Sequence, residues 1–455
     1  MDYNKLNENS QLEMNGYLKL PSFLLNFNNT ETTIEKTKAN RNVYCFKGNL
    51  KMTVEDYICP HCHEMMNVNN HIEVSLKHLN VGANLGVVNV SKVQFYCEKC
   101  NKSRMQEVQF KADGHNITKQ LYQYTLDLLS SNKYTLKQVA EITGLCKNTV
   151  KEIDLERLKN NYIEDGKLKK LKHCSRFLGI DEFKLHDGYI YATHIIDLET
   201  GEILYIAHGK KKQVVYDFIN YVGLEWMSHV ISVACDMNSD FEEAFEEKCP
   251  HIKIVFDHFH IVKNFNEKVI SNIRKDEQKR LKEEGNETAA KILKRSKYIL
   301  CSNRNTLKRK DNEIKENKVI SKGSTIFNKP EITRKGNYEQ RYDELIKENK
   351  LLFTIDLVKE KLNYAYTLDN EEQMKKEIDE IIELCDQTNN EHFKWFSNLI
   401  KNHYDGIIAH ATYKISSGKI EGTNNKIKTL RRQSYGFPDD EYFFLKLIDM
   451  SRQKW

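Results

Sequence analysis

Five short apolar runs between residues 177 and 257 decide the fold of the central part of this chain. They read FLGIDE (177–182), YIYATHIID (189–197), EILYIA (202–207), HVISVACD (229–236) and IKIVFD (252–257). Their β-branched and aromatic residues predict strands. The four residues 198–201 predict a hairpin turn between the second and third runs. Apolar residues at helical spacing predict amphipathic helices over 211–224 and 239–248, on either side of the fourth run.

This order of three strands, a helix, a strand, a helix and a strand is typical of a ribonuclease-H-like core. We therefore predict an α/β fold of that class. The first strand would end in Asp181 and the fourth in Asp236, and these strands are neighbours in such a sheet. A third acid must come from a later helix, where Glu421 is the best candidate. Phosphodiester chemistry needs Mg²⁺ or Mn²⁺ on oxygen ligands of this kind, so the three acids predict a divalent metal site.

Length and composition exclude several classes of protein. The chain has 455 residues, a formal net charge of +5, 40% hydrophobic residues and 30% charged residues. These proportions argue against a disordered chain and against a membrane protein. No apolar run approaches the roughly 18 residues of a membrane span. The opening residues MDYNKLNE do not resemble a secretory signal, so we expect a cytoplasmic protein.

Four of the eleven cysteines have the spacing of metal ligands. Cys59 and Cys62 form one CxxC pair, and Cys97 and Cys100 form another, which predicts a zinc ribbon over residues 41–112. Four thiolates leave no open coordination position, so the Zn²⁺ would be structural. Four reduced cysteines without metal are the alternative. Nearby histidines that could replace a ligand are His61, His63, His71 and His78.

Residues 113–170 have the pattern of a helix-turn-helix domain. Thr135 is suited to cap a short helix and Gly144 to make a turn, after which Leu145 and Val150 anchor a second helix. An ordinary helical hairpin is the alternative. The residues that the second helix would place in the major groove of DNA are Lys147, Asn148, Thr149 and Lys151.

Residues 263–400 show no convincing strand and are predicted to be a helical insertion. Between residues 263 and 350 there are 24 Lys and Arg against 14 Asp and Glu, a charge of +10, so the rest of the chain carries −5. A solvated helical face is the simplest interpretation of such a block. We favour binding to a polyanion, because the block interrupts a core that bears acids. Trp395 is expected to pack inside the insertion.

The predicted domains follow from these patterns. They are an N-terminal arm (1–40), the zinc ribbon (41–112), the helix-turn-helix domain (113–170), the first part of the core (171–262), the insertion (263–400) and the last part of the core (401–455). The stretch SSGKIEGTNNKIKTLRRQSYGF (416–437) in the last part supplies Glu421 and a polar face at helical spacing. The residues expected to contact DNA phosphates from this stretch are Asn424, Asn425, Lys428, Arg431 and Arg432.

Asp257 and His260 form an accessory pair after the fifth run, in the sequence DHFH (257–260). His260 could orient the scissile phosphate or relay a proton. In an alternative assignment, Asp257 is the second metal ligand and Asp236 is an accessory residue, although counting strands favours Asp236. A third interpretation is that Asp257 and His260 only cap the start of a helix.

The chain resembles the DDE-type insertion-sequence transposases of the ISL-three family. The resemblance covers nearly the whole length, including the CxxC pairs and the helix-turn-helix. Its later blocks are GIDEF (179–183), ACDMNSDF (234–241), FDHFHIVK (256–263) and the stretch 416–437, and the last two are the most specific. The resemblance implies that Asp181, Asp236 and Glu421 are the catalytic triad. It also implies that the protein cuts transposon ends and joins their 3′ hydroxyls to target DNA.

The resemblance also implies partners. The ribbon and the helix-turn-helix would bind terminal inverted repeats in double-stranded DNA, and synapsis of two ends implies at least a homodimer on DNA. Such a protein would be prokaryotic, cytoplasmic and associated with the nucleoid. Two alternatives are a non-catalytic DNA-binding regulator derived from a transposase and a ribonuclease-H-like nuclease. The presence of all three acids counts against the regulator, and the two DNA-binding modules count against the nuclease.

Overall fold

The computed structural model describes residues 25–26, 32–37, 42–188, 190–237, 239–316, 319–321, 323–333, 336–347, 349–415, 418–433 and 437–452. Most of the expected arm over 1–40, and residues 416–417 and 434–436 of the late motif, lie outside these ranges. The chain divides into two compact units. The first comprises Met1–Lys169 and Arg432–Lys446, and the second comprises Lys170–Arg431 and Leu447–Trp455. The segment Arg432–Lys446 therefore packs with the first unit, whereas the sequence prediction placed it in the core.

A six-stranded sheet forms the N-terminal part of the first unit. Its strands are β1 (Leu25–Asn26), β2 (Thr32–Lys36), β3 (Asn42–Leu50), β4 (Asn67–Val81), β5 (Asn84–Cys97) and β6 (Lys102–Met105). The long strands β4 and β5 form an antiparallel hairpin, and β3 pairs with β5 in parallel. Val88 and Val90 of β5 are buried in one apolar cluster, and Val93 and Phe95 are buried in another, beside the CxxC cysteines. This hairpin spans the 34 residues between the two CxxC pairs.

Three helices and a short strand pair complete this part of the first unit. They are α1 (Lys119–Ser130), α2 (Leu136–Thr143), α3 (Lys147–Tyr162), β7 (Ile163–Glu164) and β8 (Lys167–Leu168). Thr135 and Gln138 form a capping box at the start of α2, and Gly144 ends that helix with a left-handed φ of 74°. The three helices pack around Val139 and Val150. The roles predicted for Thr135, Gly144 and Val150 are confirmed.

A five-stranded mixed sheet organises the second unit. Its strands are β9 (Phe177–His186), β10 (Ile190–Asp197), β11 (Ile203–His208), β12 (Ser232–Cys235) and β13 (Lys253–Phe256), in the spatial order β11-β10-β9-β12-β13. β10 is antiparallel to β9 and β11, whereas β12 is parallel to β9 and β13. Three helices lie between the strands in sequence: α4 (Lys212–Val222), α5 (Leu224–Met227) and α6 (Ser239–Lys248). The five apolar runs thus form one sheet.

β9 is longer than the sequence predicted. We expected the first strand to end at Asp181, but it continues to His186, so that prediction is wrong. Phe183 and Leu185 are buried and alternate with the exposed Lys184, which keeps the chain paired with β10. The fourth strand agrees with the prediction, because Asp236 follows directly after Cys235.

The remainder of the second unit is largely helical. Its helices are α7 (His258–Asn264), α8 (Ser271–Glu283), α9 (Glu287–Lys294), α10 (Lys297–Cys301), α11 (Arg304–Glu316), α12 (Tyr338–Lys347), α13 (Lys350–Ala365), α14 (Glu371–Gln387), α15 (Glu391–Asn402), α16 (Tyr404–Ile408) and α17 (His410–Tyr413). A π-helical segment, Phe265–Ile270, joins α7 to α8. Buried side chains of these helices and of the five-stranded sheet form one continuous core. None of the described helices is both long and apolar enough to cross a membrane.

Two details of this helical part differ from the sequence prediction. The short antiparallel pair β14 (Val319–Ser321) and β15 (Ile332–Thr333) interrupts it, and the β-branched residues of both segments favour extended pairing. Trp395 was expected to pack inside, but it is 40% exposed. Its side chain lines a small surface cavity of about 320 Å³.

The last two helices are α18 (Gly418–Gln433) and α19 (Asp440–Arg452). The first half of α19 packs against α3 within the first unit, around the fully buried Asp154. Asp154 is 2.8 Å from the guanidinium of Arg157 and 2.9 Å from the ammonium of Lys446. It also accepts a hydrogen bond of 2.8 Å from the Tyr442 hydroxyl. These contacts satisfy a buried charge and hold the two helices together.

Candidate active site

The four predicted zinc ligands lie together in the first unit. The sulfur of Cys59 is 3.9 Å from that of Cys100, and the sulfur of Cys62 is 3.5 Å from that of Cys97. All four sulfurs are within 4.8 Å of one another, and in the described part of the chain no histidine joins this group. Backbone N–H groups, first that of His61, lower the pKa of the Cys59 thiol to about 6. Because thiolate is the form that binds zinc, this group of sulfurs can hold the ion.

Asp181 and Asp236 are neighbours across two parallel strands. Ile180 of β9 is the register partner of Cys235 of β12, so the next residue on each chain is one of the predicted acids. Paired strands are about 4.8 Å apart, which places the two carboxylates side by side. Burial raises the pKa of Asp181, and the charge of Asp236 adds to that rise. The sheet therefore brings two of the three predicted catalytic acids together.

The Asp181 carboxylate is stabilised by hydrogen bonds rather than by a cation. Oδ2 accepts a bond of 2.6 Å from the Asn424 amide, and Oδ1 accepts a bond of 2.8 Å from the backbone N–H of Glu182. Burial raises the pKa of Asp181, and these two hydrogen bonds offset only part of that shift. Within the described ranges, no Lys or Arg forms an ion pair with Asp181.

His260 contacts the second acid. Its Nδ1 lies 3.2 Å from Oδ1 of Asp236, which also accepts the backbone N–H of Met237 at 2.7 Å. Burial disfavours the imidazolium, but the contact with Asp236 and the charges of Asp181 and Asp257 outweigh it and raise the pKa of His260. Burial disfavours the charged form of Asp236 as well, yet His260 keeps the pKa of that carboxyl below its usual value.

Asp257 has a different position from His260. It is the N-cap of α7, and its carboxylate accepts the backbone N–H of Phe259 at 3.5 Å. Its charge also acts on the imidazoles of His258 and His410. Asp257 therefore caps α7, as the third interpretation predicted, but that interpretation does not describe His260, whose ring reaches Asp236.

α18 lies along β9. Ile420 packs directly on Gly179, where a β-carbon would stand only 2.8 Å from the Ile420 side chain. Further along, the Arg431 guanidinium donates a 2.6 Å hydrogen bond to the Lys184 carbonyl. The two contacts are eleven residues apart on α18 and five residues apart on β9, and each of these distances is about 16 Å. Because the residue numbers increase together along both elements, the helix and the strand run in the same direction. Gly179 makes this close approach possible.

Glu421 is exposed on α18, one turn before Asn424. Its carboxylate and those of Asp181 and Asp236 are not gathered within 4.8 Å of one another in the described residues. One helical turn is about 5 Å, so the contact between Asn424 and Asp181 brings Glu421 to the edge of the two acids. The third predicted acid is therefore on the helix that contacts Asp181, about one turn from the contacting residue, and does not form a cluster with the other two acids in the described residues.

Four residues predicted to bind DNA are engaged elsewhere. The Asn424 amide donates to Asp181, and Arg431 donates to a backbone carbonyl. Lys151 forms an ion pair of 2.8 Å with Asp439. Thr149 is half-buried and bonds to the sulfur of Cys146, the N-cap of α3. The predicted DNA-binding residues that are exposed and form no ion pair in the described ranges are Lys147, Asn148, Asn425, Lys428 and Arg432.

Two neighbours of Asp181 were not anticipated from the sequence. Asn424 was assigned to DNA rather than to the acid. His194 is the register partner of Asp181 on β10, and burial lowers its pKa to about 4. Neither ring nitrogen of this fully buried histidine has a hydrogen-bond partner in the described part of the chain. Only the register between β9 and β10 reveals that His194 lies beside Asp181, and this register cannot be deduced from the sequence alone.

A second group of candidate metal ligands lies in the helical part. Side-chain atoms of Asp276, Glu391 and His392 are within 4.8 Å of one another. His392 is 2.7 Å from Asp276 and 3.7 Å from Glu391. Both carboxylates are well exposed, and an ion pair with the histidine explains their proximity.

Comparisons with known proteins identify the family of this chain. A family model described as Transposase, for the DDE type of the ISL-three group, matches residues 178–447, more than half of the chain. The chain is 26% identical over 361 residues to the transposase of insertion sequence element IS1001 from Bordetella parapertussis, covering 79% of this chain and 80% of that protein. It is 24% identical over 263 residues to the transposase of IS1557 from Mycobacterium tuberculosis, covering 58% of this chain and 57% of that protein.

The class of protein is therefore a transposase. The chain belongs to the ISL-three family of DDE-type transposases, as its sequence motifs predicted.

Proposed function

We propose that Asp181, Asp236 and Glu421 carry out metal-dependent strand cleavage and strand transfer on a ribonuclease-H-like core. The observation that carries this proposal is the pair of acids on adjacent parallel strands with α18 laid along the first. The strand order β11-β10-β9-β12-β13, with β10 as the antiparallel member, supports the fold assignment. Glu421 would supply the third carboxylate from α18, the helix that contacts Asp181 through Asn424.

A hard divalent cation fits the residues at this site. Oδ1 of Asn424 is buried beside Asp181 and has no hydrogen-bond partner in the described ranges. A buried acceptor without a donor, next to two carboxylates, suits a cation or one of its waters. Mg²⁺ or Mn²⁺ held by Asp181, Asp236 and Glu421 would polarise the scissile phosphodiester and activate the attacking oxygen.

The surrounding residues orient the acids and handle protons. Asn424 fixes the Asp181 carboxylate through the hydrogen bond that its amide donates. His260 fixes Asp236 and keeps a proton beside it, which suits transfer to or from the reacting oxygen. Both are positioning residues in the cleavage step, and His260 is also the proton relay.

Asp236, rather than Asp257, is the second metal ligand in this proposal. Asp236 directly follows β12, which pairs with the strand that carries Asp181, and its carboxylate contacts His260. Asp257 is occupied in capping α7 and lies one strand further from β9. Its charge contributes to the raised pKa of His260, so Asp257 acts on the site through that ring.

DNA binding involves three parts of the chain. We propose that a zinc ribbon closed by Cys59, Cys62, Cys97 and Cys100, together with the helix-turn-helix, binds the terminal inverted repeats. Lys147 and Asn148 at the exposed start of α3 would enter the major groove. Residues 263–350 of the insertion, with their net charge of +10, and the exposed face of α18 would bind phosphates. Joining two ends requires at least two copies of the chain on DNA.

Cleavage of the element's own flanking DNA tests this proposal. Purified protein is incubated with that DNA and Mg²⁺, and the strand breaks are mapped. Alanine at Asp181, Asp236 or Glu421 is expected to abolish cleavage and to leave end binding intact. Alanine at Asp276, an exposed acid of α8, is the matched control and should cleave normally.

Each alternative gives a different result in this experiment. A regulator would bind the ends without cutting them in any divalent metal. A nuclease would cut without preference for the ends. Loss of cleavage in Asp257→Ala but not in Asp236→Ala would exchange the roles of these two acids.

A further inference from the structure

A large cavity opens between helices of the insertion. It lies among α8, α9, α12 and the start of α13, and its volume is about 690 Å³. Small-molecule sites typically measure 300–1,000 Å³, so this cavity has the size of a ligand site. It is separate from Asp181, Asp236 and the other acids of the candidate active site, none of which lines it.

The walls of the cavity are apolar. They are formed by the side chains of Leu281, Leu293, Leu345 and Leu352, of which Leu293 and Leu352 are almost completely buried. Ile292 also lines the cavity and is 54% exposed. Ile292 therefore extends the apolar lining of the cavity to its exposed rim.

Cations surround this apolar hollow. The cavity is lined by one acid, Glu344, and by four cationic side chains, those of Arg280, Lys291, Arg295 and Arg341. Arg280 pairs with Glu277 and Glu284, and Lys291 pairs with Glu287. Arg295 and Arg341 form no ion pair in the part of the chain that the structure describes. Two guanidinium groups are thus available to an anion at the same cavity.

The polar side chains of the lining are already engaged. The Asn286 carbonyl caps α9, and the Asn349 amide donates to Glu277 at 2.6 Å. The Ser296 hydroxyl donates to the Leu293 carbonyl. Because each of these three side chains already bonds to another group of the protein, they offer little directional readout of a ligand's polar edge. Recognition would depend on apolar contact and on charge.

We propose that this cavity binds a nucleotide, with the base and sugar against the leucine walls and the phosphate on Arg295 and Arg341. A bare phosphate would not use the apolar walls, and a neutral apolar ligand would leave the guanidinium groups unmatched. A nucleotide has both an apolar face and an anion. The proposal rests on the DNA-handling role of the chain, and the nucleotide comes either from a DNA strand or from solution.

Fluorescence of 2-aminopurine tests the site in the full-length protein. One probe is the free deoxyribonucleoside 5′-monophosphate of 2-aminopurine, and the other is a short single-stranded oligodeoxynucleotide that contains it. The test variants are Arg295→Ala, Arg341→Ala and Ile292→Glu. The control is Arg309→Ala on α11, an exposed arginine (71% of its side chain) that does not line the cavity.

We expect at least one probe to bind, and each arginine variant to weaken its binding about tenfold, the size of a lost charge-assisted hydrogen bond. Ile292→Glu adds an anion at the rim without touching the core and should weaken binding as well. Arg309→Ala should bind normally. Binding of the free monophosphate identifies a soluble nucleotide as the ligand, and binding of the oligonucleotide alone identifies a nucleotide of DNA.

Two results would overturn the nucleotide site. One is the absence of binding by both probes, and the other is equal loss in Arg309→Ala and in the cavity variants. Cleavage of flanking DNA is measured in parallel on the same preparations. Normal cleavage with no nucleotide binding would reject the cavity site alone, whereas nucleotide binding without cleavage by the wild type would reject the proposed function alone.

Discussion

Two aspartates, the fully buried Asp154 in the first unit and the half-buried Asp181 in the second, have opposite surroundings. Asp154 in the first unit is fully buried and is neutralised by Arg157 and Lys446, with the Tyr442 hydroxyl as a third partner. Asp181 in the second unit has an amide, a backbone N–H and another carboxylate as neighbours, and no ion pair in the described ranges.

The difference separates a structural acid from a candidate metal ligand. Burying a charge is costly unless the protein supplies its partner, as it does for Asp154. At Asp181 the balancing charge would have to come from a cation that binds reversibly. Whether a buried acid is structural or a candidate metal ligand can therefore be judged only after its charged and hydrogen-bonding partners are identified.

The largest expected effect is on catalysis at Asp181. Asp181→Asn keeps the shape of the side chain but removes a metal ligand, and we expect cleavage to fall by about a thousandfold or more. Burial raises the pKa of Asp181, so its charged form destabilises the metal-free folded state, and the stability of the variant in chelator should equal or exceed that of the wild type. Strand-cleavage rates and urea unfolding in EDTA measure the two effects.

At the structural acid Asp154, we expect a large loss of stability and little loss of cleavage. Asp154→Asn leaves Arg157 and Lys446 buried without a negative partner, which should cost about 3–5 kcal/mol of stability. Urea unfolding measures this loss. Folded Asp154→Asn protein should still cleave DNA at low temperature, and a thousandfold loss of cleavage with normal stability would remove the distinction between the two acids.

Divalent metal should stabilise the folded protein, and this gain should depend on Asp181. Adding Mg²⁺ at about a hundred times its dissociation constant should stabilise the wild type by about 2.7 kcal/mol through mass action. Thermal unfolding with and without Mg²⁺ measures this gain, which should disappear in Asp181→Asn. Asp276→Ala should retain it, because the ion pair of Asp276 with His392 accounts for that cluster.

A smaller effect is expected at Asn424. Asn424→Ala removes the hydrogen bond that orients Asp181, without removing a carboxylate, and we expect cleavage to fall about tenfold. Asn425→Ala, at the exposed neighbouring position, is the matched control. Cleavage rates at saturating DNA measure the difference. Equal effects of the two substitutions would mean that Asn424 serves DNA rather than Asp181.

The smallest expected effect contrasts two lysines of α3. Lys147 is exposed and free to contact phosphate, whereas Lys151 pairs with Asp439. Lys147→Ala should reduce by about one the salt dependence of end binding, expressed as the slope of log K against log salt. Lys151→Ala should change that slope less. Binding assays over a range of salt concentrations measure both slopes, and a larger change in Lys151→Ala would show that its ion pair opens on DNA.

The sequence predicted the parts of the fold that depend on local pattern. The strands, the grouping of the four cysteines and the roles of Thr135 and Gly144 follow from periodicity, spacing and backbone preference, and the structure contains them. The length of β9 was missed because acids at its middle looked like a strand end.

Contacts between distant segments were not predictable in this way. The hydrogen bond from Asn424 to Asp181 joins residues 243 positions apart, and the packing of α19 on Asp154 joins residues 288 or more apart. The sequence shows which polar residues are present. Their hydrogen-bond partners, however, are determined by how the helices pack on the strands. The same limit applies to His194, whose place beside Asp181 depends on register.

The most direct test of the metal site replaces Mg²⁺ by Fe²⁺ and maps where the bound iron cuts the polypeptide in the presence of ascorbate and peroxide. We expect cuts close to Asp181 and Asp236 and in α18 near Glu421, suppressed by excess Mg²⁺ and lost in Asp181→Asn. Cuts confined to the neighbourhood of Asp257, or to the Asp276, Glu391 and His392 cluster, would contradict the assignment of the catalytic metal to Asp181 and Asp236.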